Sequence, residues 1–223
     1  MKTVFRQKSN MWVRPNTSDD LVIDEAVDYT GLFTDLNDND IFMDIGQNIG
    51  AVSRLALDIN SNIKVFGYEP DEENYKVCDN NLIGSMEVLP YAIGTGHKTI
   101  KLYQAKGSNK GKISTVLRKE NCFKDFKEVV QVDFKTEVEN HRPTIIKVDI
   151  EGGEYNIDFI SIPLYVKALA IEIHKIGDDW LSMKKLYEDI SKQFGYQLGD
   201  IPVDDDWYKD RDCFMTIFLR NVK

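Results

Sequence analysis

Between residues 41 and 89 short apolar runs alternate with segments of helical periodicity, and that rhythm restricts the possible folds more than any other feature of the chain. Residues 41–44, 63–68 and 86–89 read as strands, whereas residues 49–59 and 72–82 read as helices. A strand that feeds a helix and returns to a parallel strand is a βαβ unit, and repetition of the unit builds a parallel sheet. Residues 144–150 and 166–174, rich in isoleucine and valine, continue the pattern as strands buried on both faces. Between them, residues 99–103 and 129–134, with a turn region at 107–111, have the texture of an antiparallel hairpin excursion. A helix over residues 180–194, with Met183, Leu186, Tyr187, Ile190 and Phe194 on one face and Gly195 as its stop, precedes a last strand at 214–219.

The expected architecture is one α/β domain, a Rossmann-like, seven-stranded and mostly parallel sheet with helices on both faces and a β-hairpin insertion. Residues 1–40 are expected to form a polar arm and a lead-in covering the site, with a short helix from Asp19 or Asp20 to about Tyr29, and residues 41–223 the Rossmann-like core. At 223 residues, 42% of them hydrophobic, the chain can bury one substantial core. Its formal charge of -9 opposes phosphate backbones and anionic lipid, so nucleic acid is not an expected partner. The three cysteines, Cys78, Cys122 and Cys213, form no Cys-x-x-Cys pair. A reducing, cytoplasmic compartment suits them better than a disulfide framework or a zinc site. No apolar run approaches the roughly 20 residues needed to span a bilayer.

The first strand of the alternation ends in Asp44-Ile45-Gly46-Gln47-Asn48-Ile49-Gly50. Gly46 and Gly50 bracket a tight turn before a helix, which lets backbone approach a ligand and aims helix N–H groups at it. The second strand ends in Glu69-Pro70, where a carboxylate can accept both hydroxyl protons of a ribose. The same layout suits a nicotinamide cofactor, but a dinucleotide loop normally carries a third glycine where Asn48 stands. Asp44 would oppose a pyrophosphate and attract the ammonium and sulfonium of S-adenosylmethionine (SAM).

Two later strands end in polar residues, Ile146-Lys147-Val148-Asp149-Ile150-Glu151-Gly152-Gly153-Glu154 and Ala170-Ile171-Glu172-Ile173-His174. Strand alternation puts Lys147, Asp149 and Glu151 on one side, and likewise Glu172 and His174. These groups converge at the carboxyl edge of the sheet, where open α/β sheets bind ligands. Polar side chains in apolar strands cost several kcal/mol each unless paired or ligated. Asp149, Glu172 and His174 offer oxygen and imidazole ligands for a divalent cation such as manganese or magnesium. Alternatively His174 or Glu154 acts as a general base, with Lys147 and Glu151 as further candidates. A buried salt-bridge network, with Lys147 paired to Asp149 or Glu172, also accounts for them. His97 and His141 fall in a turn and a loop and are expected to be solvated. Trp207 and Tyr208 suit either sugar stacking or cover of the sheet edge.

In these residues the sequence resembles the FkbM family of SAM-dependent methyltransferases. The matching pieces are the loop from Asp44 to Gly50, Tyr68-Glu69-Pro70 with Asn74, Ala92-Ile93-Gly94, the stretch from Ile146 to Glu154, and Glu172-Ile173-His174. The lead-in from Arg14 to Ala26, with Thr17-Ser18-Asp19, is similar as well. Gln47 departs from the family, which more often has a small residue there. The resemblance implies a class I methyltransferase fold and O-methylation of a small-molecule or glycan acceptor, often a sugar hydroxyl, and it makes a divalent metal plausible. Carried onto this chain, it sets Asp44, Gly46 and Asn48 at the methionine part of SAM, Glu69 at the ribose, and Tyr91 and Ala92 at the adenine.

Overall fold

Residues 2–105, 113–114, 122–176, 180–194, 196–198 and 214–220 are described by a computed structural model. In chain order the elements are β1 (Val4–Arg6), β2 (Met11–Val13), α1 (Asp19–Glu25), a 3₁₀ segment (Ala26–Phe33), β3 (Ile41–Ile45), α2 (Ala51–Ile59), β4 (Lys64–Tyr68), α3 (Glu72–Leu82) and β5 (Glu87–Leu89). There follow β6 (Ala92–Gly94), β7 (Lys98–Ala105), β8 (Ile113–Ser114), β9 (Cys122–Asp133), α4 (Phe134–His141), β10 (Ile145–Val148), β11 (Ala168–His174), α5 (Trp180–Gln193), β12 (Tyr196–Leu198) and β13 (Phe214–Arg220).

Among the described residues, seven strands form the central sheet in the order β12-β13-β11-β10-β3-β4-β5. The five strands from β11 to β5 run parallel, while β13 inserts antiparallel between β11 and β12. Reversal of strand order at β3 and β10 opens a crevice beyond their carboxyl ends, the place where doubly wound sheets bind ligands. This order, with its antiparallel penultimate strand, is the class I methyltransferase arrangement. The hairpin excursion is a separate four-stranded sheet, β6-β9-β7-β8, which sends Leu102 toward that crevice.

Alternation along the strands sorts the core into two layers. Met43, Ile45, Ile146, Val148, Leu169, Ile171 and Ile173 pack on the side of Val138 in α4 and Met183 and Ile190 in α5. Phe42, Val65, Ile145, Ala168 and Ala170 face Phe33 of the 3₁₀ segment, Ala56 of α2 and Val77 of α3. Each fully buried Ile, Leu or Phe contributes about 1.5–3 kcal/mol, so both layers are strongly held. Asp44, Lys147 and Glu172 share the second layer's parity, so this face turns polar as it nears the carboxyl edge.

Three elements differ from expectation. The N-terminal arm is a hairpin, β1 with β2, anchored by buried Met11 and Val13. Asn81 of α3 accepts from Trp12 N at 2.6 Å and donates to Ile49 O at 2.9 Å, tying that hairpin to the glycine loop. Residues 134–141 form α4, capped by Asp133, which accepts from Thr136 N. His141 therefore ends a helix, packed 3.9 Å from the Phe66 ring and 3.4 Å from Glu137, and is not a solvated loop residue. His97 does sit exposed in a turn. The lead-in helix stops at Glu25 and tightens into the 3₁₀ segment. Gly107–Gly111, Gly195, Trp207 and Tyr208 lie outside the described residues.

Candidate functional site

The crevice at the strand reversal is a cleft of about 900 Å³ including its open mouth. Gly46, Asn48, Glu69, Pro70, Tyr91 and Ala92 line it together with Lys147, Asp149, Glu151 and Glu172. The lead-in covers it with Val22, Glu25, Ala26 and Tyr29. That size and mixed lining match a small-molecule site.

Gly46 has φ +78°, and a Cβ there would stand 1.7 Å from the Asp149 carbonyl oxygen, so only glycine allows the loop to pass so close to the end of β10. Gly50 has φ +88° and backs onto Leu82 and Cys78, away from the cleft. Gln47 is accommodated by a second glycine: its amide fills the space a Cβ on Gly67 would take, about 2.0 Å from that position. From there it donates to Ser53 Oγ at 2.7 Å, and Ser53 donates to Asp44 Oδ2 at 2.7 Å. Asp44 is fully buried, with Lys147 Nζ 3.4 Å from its other oxygen. It supports the loop from beneath and does not line the cleft.

Glu69 accepts from Asn48 N at 2.8 Å and from Asp71 N at 2.9 Å. Burial pushes its carboxyl up to about 8 against these bonds, with Asp71 adding to the rise and a side-chain bond from Asn74 opposing it.

The polar strand ends converge. His174 Nδ1 lies 2.9 Å from Glu154 Oε1, while Nε2 lies 3.1 Å from Glu172, 3.4 Å from Glu151 and 4.0 Å from Asp149. Asp149, Glu172 and His174 each bring one ligand atom within 4.8 Å of the other two. Alternation accounts for Lys147, Glu172 and His174, but β10 ends at Val148, and Glu151 reaches the imidazole by a left-handed turn, φ +55°, and not along an extended strand. Burial works against a charged His174, yet Glu154, Glu172 and Glu151 outweigh it and raise its pKa well above the usual value. Burial, then Asp149, raises the Glu172 carboxyl. Lys147 is buried but surrounded by Asp44, Asp149 and Glu172, which raise its pKa and keep it a cation. It donates to the Gly46 carbonyl at 2.8 Å, linking the glycine loop to the acid cluster. Tyr29 donates to Glu172 Oε2 at 3.3 Å, a contact across 143 residues of sequence that no local spacing signals.

The model of the methyltransferase FkbM domain matches residues 44–158, more than half of the chain. The chain belongs to the FkbM methyltransferase family. It is a SAM-dependent methyltransferase, which removes the nicotinamide alternative, and the matched span contains both the glycine loop and the acid-bearing end of β10. Among solved structures, a chain of the fibrillarin/Nop5p complex is 13% identical, with 88% of this chain and 79% of that one covered at a TM-score of 0.49. The Methanococcus jannaschii fibrillarin pre-rRNA processing protein is 12% identical, with 100% and 83% covered and a TM-score of 0.47. The precorrin-6y C5,15-methyltransferase of Geobacter metallireducens is 12% identical, with 98% and 94% covered and a TM-score of 0.46. No curated protein sequence matches the chain. Among the described residues no helix of this FkbM-family chain is long and apolar enough to cross a membrane.

Of the residues singled out in the sequence, Gly46, Asn48, Glu69, Pro70, Tyr91, Ala92, Lys147, Asp149, Glu151 and Glu172 line the cleft. His174 stands immediately behind Glu172, and Glu154 lies beyond the imidazole, fully buried. Tyr29, Glu25 and Leu102 are cleft residues that sequence reasoning passed over. The apolar periodicity of the lead-in was its one available signal.

Proposed function

We propose that the enzyme is an O-methyltransferase acting on a hydroxyl of a small molecule or glycan, a sugar hydroxyl above all, with a divalent cation held by Asp149, Glu172 and His174. The observation that carries the reading is the meeting of those three ligand atoms within 4.8 Å, with Asp149 and Glu172 in the lining of the cleft that also holds Glu69. The donors fit such a cation: two carboxylate oxygens and an imidazole are hard to borderline ligands. The surroundings fit as well, because Asp149, Glu151, Glu154 and Glu172 crowd around Lys147 and His174, an excess of negative charge that a divalent ion would balance. Glu154 at Nδ1 would fix the ring so that Nε2 faces the ion, as carboxylates behind metal-bound histidines do.

SAM supplies an electrophilic methyl group, and the cation supplies Lewis acidity toward the acceptor hydroxyl. The protein's own part is geometric and electrostatic. Glu69 accepts from the ribose hydroxyls; Gly46 and Asn48 shape the methionine end, with Tyr91, Ala92 and Leu102 around the adenine. Lys147, fixed as a cation between the loop carbonyl and the acids, holds the glycine loop and the acid cluster in register. Such alignment of oxygen, methyl carbon and sulfur supplies much of the rate in a transfer that needs no covalent intermediate. With the imidazole engaged, Glu151 on the cleft wall is the side chain that takes the hydroxyl proton. Glu25 at the cleft and the chain's formal charge of -9 favour an uncharged acceptor over a phosphate-bearing one such as nucleic acid.

The test is calorimetric titration of chelator-treated enzyme with manganese, for the wild type and for His174→Ala, alongside turnover of a sugar acceptor. The wild type should bind one equivalent and the variant none, with turnover restored by metal only in the wild type. No measurable binding, together with turnover indifferent to chelator, would sink the metal reading.

A further inference from the structure

Arg14 lies in the lead-in and does not itself line the cleft, yet its side chain ends inside the fold. Its guanidinium binds Asp19 through Nε at 3.0 Å and Nη2 at 2.7 Å, and the same carboxylate accepts from Arg14 N at 2.7 Å. Asp19 is fully buried at the start of α1, and Arg14 is 7% exposed. The remaining contact points away from this pair: Arg14 Nη2 donates to Asn74 Oδ1 at 2.7 Å. Asn74 stands in the first turn of α3 and lines the cleft beside Glu69, to which its side chain is hydrogen-bonded.

The chemistry of the two groups makes this arrangement directional. An amide side chain offers an acceptor at one end and donors at the other, whereas guanidinium carries donors alone. A donor that cannot reverse fixes the amide oxygen toward itself and turns the amide nitrogen toward whatever lies opposite. We propose that Arg14 is a positioning residue of the cofactor site, which orients Asn74 so that its N–H faces Glu69 and holds that carboxylate ready to accept the ribose hydroxyls. Without Arg14, the amide can turn its oxygen to Glu69 and favour the protonated carboxyl, a donor where the ribose needs an acceptor.

The inference rests on the reading of Glu69 as the ribose acid. The groups around Glu69 are Asn48 N from the glycine loop, Asp71 N and the Asp71 carboxylate from the cap of α3, Asn74 and Cys78 from α3 itself, and Lys127 of β9, which meets Asp71 at 2.9 Å. Asp71 and burial favour the neutral carboxyl; the N–H donors favour the ionised one. Asn74 is the side-chain donor in the set, and Arg14 decides which way it faces.

The experiment is calorimetric binding of S-adenosylhomocysteine between pH 6 and 9.5, with each variant divided by the wild type in the same buffer so that the ligand's own titration cancels. Arg14→Met should bind about tenfold more weakly at pH 7, the cost of one unit in the Glu69 titration, and approach the wild type at pH 9.5. Because that variant strands the buried Asp19 charge, Arg14→Met/Asp19→Asn, which removes both charges, is measured as well. Asn74→Leu should show the same loss at pH 7, with no further loss when Arg14→Met is added. A deficit equal at every pH, or additive effects of the Arg14 and Asn74 changes, would make Arg14 a purely structural residue and overturn the proposal. If Glu69→Gln keeps both wild-type affinity and its pH profile, the ribose reading fails, and that outcome is separable from the other two.

Discussion

A single atom decides the glycine loop. The missing Cβ at Gly46 lets the chain pass the Asp149 carbonyl, and φ +78° is a region where a side chain costs about 1–2 kcal/mol before any clash is counted. Gly46→Ala should therefore lower stability by at least about 2 kcal/mol, seen as a fall in Tm of roughly 4–8 °C, and should abolish SAM binding. An alanine variant with wild-type Tm and cofactor affinity would contradict the close approach. Gly46 and Glu69 were legible in sequence because glycine after a strand, and an acid at the end of the next, have few structural alternatives. The place of Gln47 was not. Its partner is the missing side chain of Gly67, and an interior strand glycine announces a close approach without saying by what. Asp44 carried its charge openly in the sequence, but nothing there showed that Lys147 and Ser53 would absorb it beneath the loop.

Two elements bring the acid cluster together, and a third steadies it. Parallel pairing sets Lys147 opposite Ala170 and Val148 opposite Ile171, so the residues just beyond β10 fall beside Glu172 and His174. This much follows from period-two alternation, which is why the cluster could be read from two short strings of sequence. The third element, the 3₁₀ segment, contributes the Tyr29 hydroxyl to Glu172, and that is tertiary information alone. The helix α4 escaped notice for a related reason: it follows β9 with no intervening loop, its cap Asp133 being the strand's last residue. Tyr29→Phe keeps the ring on Phe218, 5.8 Å away, and removes the bond to Glu172. It should leave Tm nearly unchanged and weaken manganese binding by about tenfold, as loss of a partner behind a metal ligand does. Unaltered manganese affinity by calorimetry would remove Tyr29 from the support of that cluster.

At the scale of the whole molecule, the cofactor cleft and the stability of the fold share one proton. The Glu69 carboxyl sits near 8 in the folded chain against an ordinary 4.5, because it is buried. A folded-state value raised above the unfolded one means that the native protein holds the extra proton between those limits. The contribution of Glu69 to stability is therefore complete below about pH 4.5 and is lost as the pH climbs through about 8. Ribose hydroxyls reverse the balance, since they donate to the ionised carboxylate and replace water that the fold has already excluded. Binding then restores what the rise in pH removes, so stabilisation by ligand must grow with pH. At a hundredfold excess over Kd, S-adenosylhomocysteine should add about 2.7 kcal/mol, or roughly 5–10 °C in Tm for a domain of this size. At one fixed ligand concentration the increment should be clearly larger at pH 8 than at pH 6. In Glu69→Gln, whose amide does not titrate, the increment should shrink and lose its pH dependence relative to the wild type. A wild-type increment that is flat or falls between pH 6 and pH 8 in scanning calorimetry would separate Glu69 from the ribose and leave its burial without a functional cause.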